Sequence, residues 1–114
     1  MKAIVILPGE NPTIKEVRED LADVFGTLYA VKKLPGLHMD LITSGNGWSV
    51  LPPPNGSLHI GEGKSWCITG PAAICRENAA GEYTDVRLCD LGLIQACWTP
   101  WRPRLEEKEH REDD

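Results

Sequence analysis

The sequence predicts a small α+β domain, with a mixed, mainly antiparallel β-sheet and one or two helices packed on it. Short apolar runs rich in β-branched residues alternate with Pro-Gly and Gly-Asn turn signals, which is typical of antiparallel strands. Residues 14–25 instead carry apolar side chains at helical spacing. The 114 residues are enough for one domain with a single core.

The first two elements are a strand and an amphipathic helix. Lys2–Leu7 is apolar and β-branched at its centre, and Pro8-Gly9 ends it. Asn11-Pro12 then supplies a helix cap and a first helical residue, and Gly26 supplies the stop. Thr13–Val17 fits a short returning strand as well as the first helical turn, and the sequence leaves both open.

The middle of the chain predicts a β-hairpin followed by a central strand. Thr27–Leu34 and Leu37–Thr43 flank a Pro-Gly turn, and Trp48–Leu51 is a further short strand. Residues 60–76 are predicted to form the central strand, with a Gly-Pro step in its middle. The proline-rich segment 52–56 is expected to stay out of any ladder, because proline has no N–H to donate.

The last elements are a strand, a helix and a tail. Tyr83–Leu88 alternates as a strand does, and apolar residues at a spacing of three predict a helix over Cys89–Trp98. We therefore expect one globular domain over residues 1–101 and a charged tail over 102–114.

The predicted core combines apolar residues from all of these elements. Its members are Ile4, Ile6, Leu21, Val24, Phe25, Leu28, Leu41, Ile68, Ile74, Val86 and Leu88.

Charge and hydropathy exclude some functions. The net charge of −5 argues against direct binding of nucleic acid, which requires a basic surface. No apolar run approaches the roughly 20 residues of a membrane span, so no membrane association is expected. The apolar run Ala3–Leu7 is too short for a signal peptide, which predicts a cytoplasmic location.

Two patterns that suggest a nucleotide or a metal do not fit their motifs. Gly63-Lys64-Ser65 resembles a phosphate-binding loop, but Leu58 stands where that loop needs its first glycine. The four cysteines form two pairs eight residues apart, which is not the spacing of a structural zinc site. We expect buried, reduced thiols, with disulfides as the alternative, and no metal or cofactor.

Candidate catalytic residues are few. His59 with Cys67 or Cys75 is a possible thiol–imidazole pair, and His38 with Asp40 a possible metal or proton-transfer fragment on one strand face. Neither has the nucleophile, base and orienting group of a complete site. No catalytic residue is therefore assigned, and we expect a protein that is not an enzyme.

A cluster of aromatic and polar residues near the prolines suggests a binding site. We predict that Trp48, Asn55, His59, Lys64 and Trp66 bind a ligand or partner. Tryptophan supplies rigid contact area, and the prolines limit the entropy lost on binding. The alternative is that both tryptophans fill the ends of a small core.

Several turn and strand residues suggest a family. They are the opening Met1–Pro12, the step Gly26–Val31, Pro54-Asn55, Gly70-Pro71 with the following Ala-Ala-Ile, and the turn Gly81–Tyr83. Over residues 1–90 the chain resembles small proteins of unknown function carried by bacteriophages and plasmids. The resemblance implies an accessory protein of a mobile element in the bacterial cytoplasm. It brings no catalytic residues.

The functional expectation is a non-enzymatic protein that binds and sequesters or inhibits a host component, for example as a counter-defence protein. Its partner is a host protein or a small nucleotide-like ligand. Two alternatives stay open: an acidic mimic of nucleic acid that inhibits a DNA-binding protein, and a small cysteine- or metal-dependent enzyme.

Overall fold

A computed structural model describes residues 1–18, 29–44, 54–60 and 65–101. Its helix in these ranges is α1 (Leu88–Cys97). No helix of the described part is long and apolar enough to cross a membrane. The strands are β1 (Lys2–Ile6), β2 (Thr13–Glu16), β3 (Tyr29–Leu34), β4 (Met39–Ser44), β5 (Pro54–His59), β6 (Ser65–Thr69), β7 (Ala72–Glu77), β8 (Tyr83–Thr84) and β9 (Trp98–Pro100).

The strands form two antiparallel sheets. The large sheet has the order β2-β1-β7-β4-β3, and β8 pairs with the end of β7. The small sheet has the order β6-β5-β9. This arrangement confirms the predicted α+β fold with mainly antiparallel strands.

The main core lies on the inner face of the large sheet. Ile4, Leu41 and Ile74 from that face join Leu58 of the small sheet and Ile94 of α1 in one buried cluster. A second cluster, which includes Val5, Ile42 and Cys75, covers the opposite face of the large sheet. The central strands are therefore buried on both sides, which explains their continuous apolar sequence.

The segment after the first turn is a strand, which was one of the two structures left open. Gly9 adopts φ +79° and reverses the chain, and β2 then pairs with β1 from Val5↔Thr13 to Lys2↔Glu16. Pairing with β1 gives the backbone N–H and C=O groups of this segment hydrogen-bond partners, so they do not need the internal hydrogen bonds of a helix. Val17 and Arg18, which the predicted helix also included, are not helical. The remainder of that helix, from residue 19 onward, lies outside the described residues, as does the strand predicted over Trp48–Leu51.

The predicted β-hairpin is confirmed. β3 and β4 pair through Leu34↔Met39, and Leu37 N–H donates to Leu34 C=O across the turn. Gly36 adopts φ +74° there, a conformation that glycine reaches without steric cost. The loop residue His38 also has positive φ, at +56°.

The prediction of one continuous strand over residues 60–76 is wrong. Gly70 adopts φ +69° and divides the segment into β6, an edge strand of the small sheet, and β7, the central strand of the large sheet. The prediction that segment 52–56 avoids the ladder is also wrong for Pro54–Gly56. These residues begin β5, with an irregularity in its pairing between Pro54 and Gly56, and a first position or bulge is where proline is tolerated.

The core prediction is confirmed for six residues: Ile4, Ile6, Leu41, Ile68, Ile74 and Val86 are buried. It is wrong for Leu88, which is 79% exposed. The predicted strand Tyr83–Leu88 is limited to Tyr83–Thr84, and Leu88 opens α1. The helix predicted over Cys89–Trp98 is confirmed within one residue at each end. Leu21, Val24, Phe25, Leu28 and the tail 102–114 lie outside the described residues.

A close approach at Gly56 fixes the position of β9. A Cβ atom at Gly56 would lie 2.5 Å from the carbonyl oxygen of Thr99 and 2.5 Å from the Trp98 ring. We expect Gly56→Ala to lower the free energy of unfolding by about 1–3 kcal/mol, because the backbone has to move. Urea denaturation measures this loss.

Gly92→Ala is the matched control for Gly56→Ala. Gly92 lies in α1 with open space around its Cβ position, so alanine should stabilise the protein by about 0.5–1 kcal/mol. Equal stability of the wild type and Gly56→Ala would show that β9 does not pack against β5 in this way.

Candidate functional site

The most unusual surface of the described chain is the outer face of α1, formed by Leu88, Cys89, Gly92, Leu93 and Ala96. All five residues are exposed, and Leu88 and Leu93 are 79% and 41% accessible. Residues three and four apart lie on one side of a helix, so this set forms a continuous surface. It contains no charged side chain, whereas a solvated helix face normally carries them.

The opposite side of α1 packs into the protein. Asp90 and Ile94 are buried, and Leu91 and Cys97 are partly buried against the main core. Because apolar residues occur on both sides, α1 lacks the two-faced pattern of an ordinary surface helix. An all-round apolar helix is expected where both sides are covered.

An ion pair holds α1 in this orientation. Arg76 on β7 donates from Nε and from a terminal nitrogen to Asp90, at 2.9 and 2.6 Å. The Asp90 carboxylate also accepts the backbone N–H of Arg87, at 2.9 Å, just before the helix starts. The Arg76 hydrogen bonds, with those from Arg87, hold the pKa of Asp90 far below its usual range despite burial. The carboxylate thus joins the central strand to the first turn of α1.

The five residues predicted to bind a partner are not all brought together. Trp48 and Lys64 lie outside the described residues. Asn55 and His59 lie on β5, and Trp66 lies on β6 opposite the buried Leu58. Trp66 therefore points toward the core, whereas the exposed His59, one residue beyond Leu58, points to the other face of the small sheet.

Asn55 stabilises the small sheet. Its side-chain amide N–H donates to the Gly70 carbonyl oxygen. Its backbone carbonyl oxygen accepts the backbone N–H of Trp101 at 3.0 Å. These bonds close the irregular start of β5 on both sides. Their effect is structural, and the prediction that Asn55 contacts a partner stays a prediction.

The thiol–imidazole candidates differ in accessibility. Cys75 is fully buried in the large sheet, and burial, with the charge of Asp40, raises its pKa to about 12. A thiol with such a pKa is a poor nucleophile at neutral pH. The expected burial of the thiols is wrong for Cys67 and Cys89, which are exposed. Cys67 lies diagonally from His59 on β6, but no hydrogen bond joins the two in the described part of the chain.

The carboxylate of Asp40 belongs to a network of side chains and does not pair with His38. Its Oδ2 accepts the Tyr83 hydroxyl at 2.9 Å, and its Oδ1 lies 3.5 Å from Lys33 Nζ. Lys33 also lies 3.4 Å from Glu77, while His38 is in the β3–β4 turn and not on a strand face. Burial, with the Asp40 hydrogen bond, raises the pKa of Tyr83. The network stabilises one end of the sheet.

Metal ligation has no cluster to support it in the described residues: they contain no group of three or more His, Cys, Asp or Glu side chains placed to hold a metal ion.

Comparison with protein-family models, curated proteins and solved structures finds no match to this chain. The resemblance to phage- and plasmid-borne proteins stays a prediction.

The outer face of α1 was not among the sites predicted from the sequence. The available signal was the absence of charged residues at all five of its positions. It was missed because Leu88 was assigned to a strand and to the core, which left the helix one residue shorter.

The Asp90 carboxylate should make stability depend on pH below about 4. We expect Asp90→Asn to lower the free energy of unfolding by about 1.5–3 kcal/mol at pH 7, because a charged acceptor is lost. The depressed pKa of Asp90 means that the unfolded chain, with a pKa near 3.9, binds its proton first as pH falls. The wild type should therefore unfold more easily at low pH, and its excess free energy of unfolding over Asp90→Asn should shrink by about 1 kcal/mol by pH 3.

Urea denaturation at pH 7 and pH 3 measures both effects. The exposed residue Glu82 provides the control, since Glu82→Gln should stay within about 0.5 kcal/mol of the wild type. An advantage over Asp90→Asn that is the same at both pH values would contradict the assigned ion pair.

Proposed function

We propose that this protein is a non-enzymatic accessory protein of a phage or plasmid, which binds a bacterial host protein and inhibits it. The observation that carries the proposal is the charge-free outer face of α1. Contiguous exposed apolar surface on a small protein is typical of a protein-binding site. The proposed location is the cytoplasm of the host cell.

The outer face of α1 suits insertion into an apolar groove of a partner. In this recognition mode a helix presents anchors at spacings of three, four and seven residues. Cys89, Leu93 and Ala96 have that spacing, and Leu88 lies beside them at the start of the helix. Gly92 lacks a side chain, so a partner can approach the helix backbone closely at that point.

Leu88 and Leu93 should contribute most of the free energy of binding. Burying a leucine side chain completely is worth about 1.5–3 kcal/mol. Leu88, at 79% exposure, has most of that free energy still to gain, and Leu93, at 41%, has less. Loss of Leu88 should therefore weaken the complex more than loss of Leu93.

A binding role also fits the environments of Cys75 and Asp40, which were candidate catalytic or metal-binding residues. The buried thiol of Cys75 has a pKa of about 12, and the Asp40 carboxylate is already paired with Tyr83 and Lys33. These contacts support a structural role for both groups. An apolar contact through α1 also separates this proposal from mimicry of nucleic acid, whose binding should collapse as salt rises.

The test replaces the two leucines with lysine. We expect a host protein that co-purifies with the wild-type chain from bacterial lysate to be reduced at least tenfold with Leu88→Lys/Leu93→Lys, because the partner's groove would have to bury two charges. Quantitative mass spectrometry of the captured proteins measures the change. Val31→Lys is the control, since Val31 is 47% exposed on β3, away from α1.

Equal capture by all three chains would contradict the proposed binding through α1. A host protein captured equally by the wild type, by the double variant and by Val31→Lys does not bind through α1. A partner lost from both variants reports a general defect, and circular dichroism then shows whether either chain is unfolded. Capture that persists at 1 M salt separates the apolar contact from an electrostatic one.

A further inference from the structure

Among the described strands, the outer edge of β6 differs from the other sheet edges. β6 pairs only with β5 among the described strands, so alternate backbone N–H and C=O groups of Ser65–Thr69 point away from the sheet. Proteins usually protect such edges with lysine or proline. β3 carries Lys32 and Lys33, and β9 carries Pro100, whereas β6 has no charged residue and no proline.

A cleft runs along this edge of β6. It has a volume of about 170 Å³, and the consecutive residues Trp66–Thr69 form one wall. Successive side chains of a strand point to opposite faces, so a cleft that contacts all four residues follows the edge of β6. The opposite wall is the inner face of the large sheet, at Lys32, Leu41 and Thr43.

The surface of the cleft is mostly polar and carries one charged residue. Leu41 and Ile68 border the cleft but are each only 1% exposed, so they add little to its accessible surface. Lys32 is the one ionisable side chain of the wall on the large sheet, and it is exposed. The volume suits one side chain, and Lys32 favours a carboxylate there.

We infer that β6 binds an extended segment of a partner protein as an additional antiparallel or parallel strand. One aspartate or glutamate side chain of that segment enters the cleft and pairs with Lys32. The backbone supplies most of the affinity and the cleft the specificity, as in other cases of strand addition. This site goes beyond the proposed function, because it is separate from the outer face of α1.

The charge at the cleft distinguishes this partner from a second copy of the chain. If two copies paired through β6, the added strand would be Ser-Trp-Cys-Ile-Thr, which has no acidic residue. Lys32 would then gain no carboxylate from the added strand. An acidic, otherwise β-branched segment satisfies both the edge and Lys32.

The experiment selects ten-residue peptides from a random display library against the full-length chain. We expect enrichment of sequences that alternate β-branched residues and contain an aspartate or glutamate. Fluorescence anisotropy of one enriched peptide should show at least tenfold weaker binding to Lys32→Glu. A peptide with lysine in place of its acidic residue should bind Lys32→Glu better than it binds the wild type.

Two controls locate the contact. Lys15→Glu makes the same charge change on β2, at the far edge of the large sheet, and should leave peptide affinity within twofold. Methylating alternate backbone nitrogens of the peptide should weaken binding at least tenfold for one set of positions and little for the other. This alternation is specific to strand pairing.

The outcomes separate this site from α1. Peptide affinity that is unchanged in Leu88→Lys/Leu93→Lys supports an independent site at β6, whereas its loss in that variant overturns the inference. The inference is also overturned if no peptide is enriched, if Lys32→Glu and Lys15→Glu behave alike, or if backbone methylation has no effect. Dimers that form through β6 and exclude the peptide would equally reject it.

Discussion

The hydrogen-bonded ion pair between Arg76 and Asp90 joins the two parts of this fold. Arg76 belongs to the central strand of the large sheet, and Asp90 to the first turn of α1. Because α1 leads directly into β9, the same contact also places the third strand of the small sheet. There Trp98 lies against Gly56, at a distance that admits no side chain. One partly buried pair therefore sets how the helix and both sheets meet.

The orientation of α1 decides which residues are available for binding. With Asp90 and Ile94 turned inward, the helical repeat of about 100° per residue directs Leu88 and Leu93 to solvent. Successive side chains of β7 point to opposite faces of the large sheet, and both faces are covered. Ile74 therefore lies in the main core and Cys75 in the second buried cluster. The Cys75 thiol is thus buried, whereas Leu88 and Leu93 remain exposed. The exposed leucines are the basis of the proposed binding role.

Local signals in the sequence predicted much of the fold, and non-local pairing decided the rest. The β3–β4 hairpin and α1 were predictable, because a Pro-Gly turn and a three-residue apolar spacing act over a few residues. The division of 60–76 was not, since it depends on Gly70 sending two adjacent strands into different sheets. For the sites, the sequence named Trp66, which lines the cleft beside β6, but periodicity does not show which side of an all-apolar helix is covered. The exposure of Leu88 was missed because Leu88 was assigned to the preceding strand and to the core.

The most direct test of this account compares Ile94→Ala with Leu88→Ala in urea denaturation, at a concentration where the chain is monomeric. Both changes remove a large aliphatic side chain from α1, so their intrinsic helix propensities shift in the same direction. The account predicts that Ile94→Ala loses about 2–5 kcal/mol of unfolding free energy, whereas Leu88→Ala stays within about 0.5 kcal/mol of the wild type. A loss above 2 kcal/mol for Leu88→Ala would show that this face is already buried within the chain, and would contradict its assignment as a binding surface.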